Sequence, residues 1–181
     1  MEERDLITGM TEDMSIRELT DYAEKVSMAL IQKFKSLSLT VALAESCTAG
    51  LVSSLLAGGS GASAVLWGSF VCYTKEAKVS MLGIDSRVLD AHGLVSGETA
   101  CAMASGAAQK SGASVAASVT GLAGPEGDGS NTAVGTVWAA VVYNGENAVA
   151  REFHFSGSRN TVRLYAAIAV LDLINETLNQ K

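Results

Sequence analysis

Three short apolar runs constrain this chain more than any other feature. They are Leu39 to Ala44 (LTVALA), Val65 to Tyr73 and Ala113 to Val119 (ASVAASV). Each is brief, rich in aliphatic residues and bounded by turn-forming residues, which is how a strand reads. The first and third contain so little polarity that they must be buried. Between them lie segments with helical character. Asp13 or Ser15 can cap a helix to about Phe34, with Leu19, Tyr22, Ala23, Val26, Ala29 and Leu30 on one face. Further helices are expected from the turn at Glu45–Thr48 to about Leu56, from Lys75 to Leu82, from Ser86 to His92 with Gly93 closing it, and from a Ser96 cap through Ser111. Val134 to Val142 and Ala148 to Phe155 predict a hairpin around Asn144-Gly145, and a final helix runs from about Arg159 to Leu178. Strands alternate with helices, then a hairpin and a helix close the chain. The expected fold is therefore α/β, a single-domain mixed-sheet sandwich flanked by helices. Residues 1–14 read as a flexible leader and 15–181 as the domain.

Composition narrows the function. The 181 residues are 48% hydrophobic and carry 13 Lys+Arg against 19 Asp+Glu, a net charge of −6. That excludes a disordered chain and argues against nucleic acid as a partner. There is no basic, then apolar, leader and no run of 18 apolar residues, so the expectation is a cytoplasmic protein with no membrane partner. Cys47, Cys72 and Cys101 are odd in number and widely spaced, the pattern of free thiols rather than a metal site. The 18 glycines and 27 alanines make up about a quarter of the chain and let backbone approach backbone or ligand closely.

Three segments stand out as more than connectors. Ala44-Glu45-Ser46-Cys47-Thr48-Ala49-Gly50 places hydroxyls at a strand-to-helix turn, where helix N–H groups converge and an oxyanion or phosphate can bind. Read alone, Ser46 or Thr48 is more simply a helix cap. Tyr73-Thr74-Lys75-Glu76-Ala77-Lys78 ends a strand and puts Lys78 one turn into a helix, within reach of the edge where open α/β sheets bind ligands. A partly dry lysine there acts as a base, whereas an isolated lysine is ordinarily solvated. Thr120-Gly121-Leu122-Ala123-Gly124-Pro125 opens a loop running to Ala133, long for an ordinary turn. Gly59 to Ala64 satisfies GxGxxA but follows a helix and precedes a strand, the wrong context for a dinucleotide fingerprint. His92 and His154 lie far apart with no partner pattern. Cys47 is a rival nucleophile, or simply a small buried residue.

Together these segments resemble the CinA C-terminal domain family of nicotinamide-nucleotide amidases (the NMN deamidase, PncC type), over about Leu37 to Leu178. AESCTAG matches the family's AESCTGG, Tyr73–Lys78 its YSNEAK, and Thr120–Asp128 its TGxAGPxGG. Val134-Gly135-Thr136-Val137-Trp138 and Gly157 to Arg163 match its VGTVW and GDRxxVR. Five motifs in order make the resemblance specific.

The resemblance implies hydrolysis of the carboxamide of nicotinamide mononucleotide to nicotinate mononucleotide and ammonia, with no cofactor and no metal. It makes Ser46 the nucleophile, Lys78 the general base and Tyr73 a partner in proton relay. Lys78 would have to be neutral, its pKa moved from about 10.4 to roughly 7–8. Thr48, Ala49, Gly50, Thr120, Gly121 and Gly124 become substrate-binding positions, with Arg159 and Arg163 adding charge for the phosphate. The expected partner is this small pyridine mononucleotide, and the small-residue surfaces suggest a homo-oligomer. The alternative is an inactive nucleotide-binding or interaction homologue in a competence or damage role. The sequence departs from the family at Ala49, Ser69, Gly97 and Asp128. Ala49 and Ser69 are expected to add bulk near the pocket.

Overall fold

The computed structural model describes residues 14–181. The leader expected over 1–14 lies outside the described residues except for Met14. In chain order the elements are α1 (Ile16–Ser36), β1 (Val41–Glu45), α2 (Leu51–Ala57), β2 (Leu66–Val71), α3 (Lys75–Leu82), α4 (Ser86–His92), α5 (Gly97–Ser111), β3 (Val115–Gly121), β4 (Thr136–Tyr143), β5 (Val149–His154) and α6 (Arg159–Asn179). This is the expected mixed α/β sandwich. The strand order is β2-β1-β3-β4-β5, with β1 parallel to β2 and β3, and β3–β4 and β4–β5 antiparallel.

Local chemistry accounts for the element ends. Ser15 rather than Asp13 caps α1, as a capping box with Glu18. Gly83 and Gly112 close α3 and α5 in the left-handed conformation. Asn144 and Gly145, at φ 45° and 76°, form a turn closed by Glu146 N–H to Tyr143 O, at the start of the connection 144–148 between β4 and β5. The Gly59–Ala64 stretch is a loop into a short 3-10 turn (Ala62–Ala64), as its context required.

Strand alternation then builds two apolar layers. Leu43, Val115, Ala117, Val119, Ala139 and Val141 face α1, α2 and α6, meeting Leu30, Phe34, Val52, Ile168 and Leu171. Ala44, Ala116, Ala140 and Val142 face α3, α4 and α5, meeting Leu82, Leu89, Met103 and Ala104. The second layer is built from small side chains, and α5 lies close against α3. A Cβ on Gly106 would sit 2.6 Å from the Leu82 carbonyl oxygen.

The topology decides where chemistry can happen. β1, β2 and β3 are parallel, so the segments after Glu45, Val71 and Gly121 leave the sheet at one edge. The antiparallel β4 and β5 bring the start of one and the end of the other to the same edge, and α6 begins there. All five motifs, separated by more than a hundred residues in sequence, converge at this edge.

Candidate active site

The turn after β1 is built around a buried carboxylate. Glu45 accepts from the backbone N–H groups of Gly50 (2.8 Å), Val52 (3.1 Å) and Ser53 (2.9 Å), and from the hydroxyls of Thr48 (2.8 Å) and Ser69 (3.0 Å). A carboxylate facing the first N–H groups of a helix is favoured by their partial positive charge. Glu45 reaches them because Ala49 (φ 51°) and Gly50 (φ 96°) both take left-handed backbone and fold the turn back on the strand end. Neither Ser46 nor Thr48 is the helix cap. Gly50 holds that position, and Glu45 supplies the acceptor. The N–H groups expected to receive an oxyanion or phosphate are therefore already occupied.

That arrangement frees the Ser46 hydroxyl. Ser46 is 8% exposed, and its backbone N–H is tied to Val119 O on the neighbouring strand. Lys78 extends back from α3 and donates to Ser46 Oγ at 2.8 Å and to Cys72 O at 3.0 Å. Lys78 is 1% exposed, the opposite of the solvated side chain an isolated lysine predicts. Among the described residues it has no carboxylate partner. Burial lowers its pKa, opposed in part by the Cys72 and Cys47 thiols. In the neutral amine the bond to Ser46 reverses. The hydroxyl donates to the lysine lone pair while an amine N–H still holds Cys72 O. The pair thus has the geometry of a nucleophile and its base.

Cys47 lines the same pocket, but burial pushes its thiol up to about 11, so it is protonated near neutrality. It is the small buried residue that the sequence offered as the alternative to a nucleophile.

Tyr73 stands apart from the buried pair. It is 50% exposed, and its hydroxyl accepts from Arg159 Nη2 at 2.7 Å. Arg159 Nη1 also donates to Gly124 O at 2.5 Å, so one guanidinium links the strand-end tyrosine to the glycine loop. Arg163, one turn later, donates from Nε to Cys47 O (3.0 Å) and from Nη2 to Thr48 O (2.9 Å). It holds the Ser46 turn from behind, and only Arg159 of the two lines the pocket.

The pocket, of about 170 Å³, is floored by Ser46 and Lys78 and walled by Thr120, Gly121, Leu122, Ala123, Leu94 and Val95. Thr120 Oγ1 is committed to Leu94 O at 2.6 Å. Gly121 has no room for a side chain, since a Cβ would lie 2.8 Å from Val137 Cγ2. Thr48, Ala49, Gly50 and Gly124 do not line the cavity. The Thr48 hydroxyl and the Gly50 N–H belong to Glu45, and Ala49 faces outward. The departures at Ala49 and Ser69 add no bulk to the pocket. Ser69 faces Glu45 and adds a donor to it. Gly97 lies against the Trp138 ring, 2.9 Å from the position of a Cβ. Asp128, in contrast, lines the cavity.

Glu45 and Asp128 are the two polar groups whose place the sequence reading did not anticipate. The signal for Glu45 was present, a carboxylate at a buried strand end just before a helix start. Asp128 carried none beyond interrupting a glycine pair. Among the described residues no three His, Cys, Asp or Glu side chains cluster as a metal site would need, and no helix is long and apolar enough to cross a membrane.

Known proteins share this fold and sequence. Residues 23–178 match the CinA C-terminal domain. A CinA-like protein of Geotalea daltonii is 39% identical over 162 residues, covering 90% of this chain and 39% of that protein. The chain therefore spans well under half the length of such relatives. Among solved structures, the competence/damage inducible protein CihA from Agrobacterium tumefaciens superposes with a TM-score of 0.82 at 37% identity, covering 87% of this chain and 95% of that one. A CinA superfamily protein from Escherichia coli gives 0.83 at 31% identity, covering 93% and 99%. From its strand-edge motifs to its whole sheet, this chain belongs to the CinA C-terminal domain family.

Proposed function

We propose that the domain is a nicotinamide-nucleotide amidase, hydrolysing the carboxamide of nicotinamide mononucleotide to nicotinate mononucleotide and ammonia. The observation that carries this reading is the 2.8 Å contact between Ser46 Oγ and a Lys78 amine that is buried and without a carboxylate partner. An amide is a poor electrophile and needs an activated hydroxyl, which this contact supplies.

Attack of Ser46 Oγ on the carboxamide carbon forms a C–O bond and passes the hydroxyl proton to Lys78 Nζ. The resulting ammonium lies beside the negative charge developing on the carbonyl oxygen and favours it in this dry setting. Lys78 then gives its proton to the amide nitrogen as the C–N bond breaks, and ammonia leaves. Water attacks the acyl ester, giving one proton to Lys78, which returns it to Ser46 as the acid departs and ionises to the carboxylate, its remaining proton taken up by the released ammonia. Arg159, bound to two neutral acceptors, offers its positive charge to the phosphate, with Tyr73 orienting it. Arg163 acts by holding the turn. The reaction is assigned to the cytoplasm, and self-association belongs to the same reading.

Ammonia release from nicotinamide mononucleotide tests this directly. Wild-type protein should release ammonia, while Ser46→Ala and Lys78→Ala should lose turnover and keep the circular dichroism of the fold. Full activity in Ser46→Ala would sink the mechanism. A second reading takes its cue from the competence/damage names of the relatives. It is a nucleotide-binding module without turnover, and it predicts ligand binding with no ammonia.

A further inference from the structure

Two formal charges at the pocket rim are left without a countercharge. Arg159 and Asp128 both line the cavity and both are exposed. Arg159 bonds only a carbonyl and a phenol. Asp128 bonds only Ser130, whose N–H donates to Oδ1 at 3.0 Å. Among the described residues neither enters an ion pair, with each other or with any other group. A pocket that presents a cation and an anion separately carries a dipolar field. The Ser130 donors also hold the Asp128 carboxyl below the usual range, so it is ionised near neutrality.

We propose that Asp128 is a specificity-determining residue that, with Arg159, selects a zwitterionic ligand, a cationic heteroaromatic ring carrying an anionic arm. This rests on the amidase reading and sharpens it. The oxidised pyridinium nucleotide has this charge pattern. Its ring-reduced form has the anionic arm but a neutral ring. Hydrolysis also turns the carboxamide into a carboxylate, which Asp128 repels, so the same residue favours product release.

Asp128→Asn is the discriminating change, because asparagine keeps an oxygen for the Ser130 N–H and removes only the charge. The probes are nicotinamide mononucleotide and its 1,4-dihydro form. Binding of each is measured by titration calorimetry to Ser46→Ala protein with and without Asp128→Asn. The oxidised nucleotide should bind about five-fold more weakly to the Asp128→Asn protein, the order expected for one partly exposed charge contact. The dihydro form should bind both proteins alike. Equal weakening of both probes would overturn the proposal and assign Asp128 to the ribose hydroxyls they share. No weakening of either, or no binding of either to the Ser46→Ala parent and the wild type, would overturn it as well. The amidase reading is judged separately by ammonia release. Ammonia with a flat charge series sinks only the role of Asp128. Charge-selective binding without ammonia sinks only the amidase.

Discussion

Lys78 and Asp172 are both ionisable groups enclosed by the fold, in opposite layers of the sandwich. Lys78, on α3, reaches the strand edge at Ser46 and Cys72. Asp172 sits on α6, 4% exposed, where Tyr22 Oη of α1 donates to both its carboxylate oxygens at 3.2 Å. Burial drives both towards the neutral form. The Lys78 pKa falls, and the Asp172 carboxyl is pushed up to about 7, with the nearby Glu176 charge adding to the effect. A shifted pKa therefore does not mark the functional site here. Lys78 opens onto a cavity and touches a hydroxyl that a substrate can reach. Asp172 lies 13 residues beyond Arg159, about 20 Å along the helix, and meets only the α1–α6 packing. On the amidase reading, what separates Lys78 as a base from Asp172 as a structural group is access to the cavity at the strand edge.

The comparison breaks most visibly on replacing Lys78. Lys78→Met keeps an unbranched chain of similar volume and removes the amine, so turnover should fall by about 10³-fold or more in an ammonia assay. The same variant should melt no lower than wild type, since a buried amine is exchanged for a thioether. A variant that melted much lower would mean that Lys78 holds the fold as well as the proton. Under the proposed mechanism the neutral amine is the active form. The kcat/KM profile should therefore rise with pH through a Lys78 value below that of an ordinary lysine, and acidification should switch the reaction off.

Asp172→Asn probes the other half. Asparagine still accepts from Tyr22 but cannot ionise. Wild-type Asp172 titrates near 4 when unfolded and about 7 when folded, so the native state holds the extra proton between these values. Wild-type stability should fall as pH rises from about 4 to about 7 and stay reduced above that. The variant should be more stable by about 2–4 kcal/mol above pH 7, with the advantage vanishing below pH 4, and its ammonia release should be unchanged. Denaturant melts at pH 4 and pH 8 check this. A loss of activity with the fold intact would erase the distinction between the two groups.

The smallest effect is expected at Ser69. Its hydroxyl is one of five donors on Glu45, so Ser69→Gly should cost about 1 kcal/mol, or somewhat more through added backbone freedom, and should not change the KM of the substrate. A shifted KM would mean that Ser69 reaches the pocket by way of the Glu45 turn.

Much of the architecture could be read from residue order. Apolar runs of strand length, helix caps at Ser15 and Ser96, and the Asn144-Gly145 turn are local signals, each acting over fewer than ten residues. They located every strand and helix to within a few residues. The motifs also pointed to the right segments, because a polar turn following a buried strand is itself local. Three features lay beyond local signals. The sequence offered Lys78 as a base or as a solvated lysine, and only the fold buries it against the Ser46 hydroxyl and the Cys72 carbonyl. The role of Glu45 depends on two successive left-handed residues that aim its carboxylate at a helix start. Arg159 and Arg163, one turn apart and alike in sequence, separate only when β3, β4 and α6 bring the glycine loop to one and the Ser46 turn to the other.

Period, capping and turn chemistry are properties of neighbouring residues, and they committed this chain to a mixed sheet with helices on both faces. Which side chains lose water, which charges stay unpaired and which hydroxyl meets which amine depend on contacts between segments 30 to 115 residues apart. Burial and Coulomb interaction act through space, so the contact between Ser46 and a dry Lys78 came into being only when the strands paired.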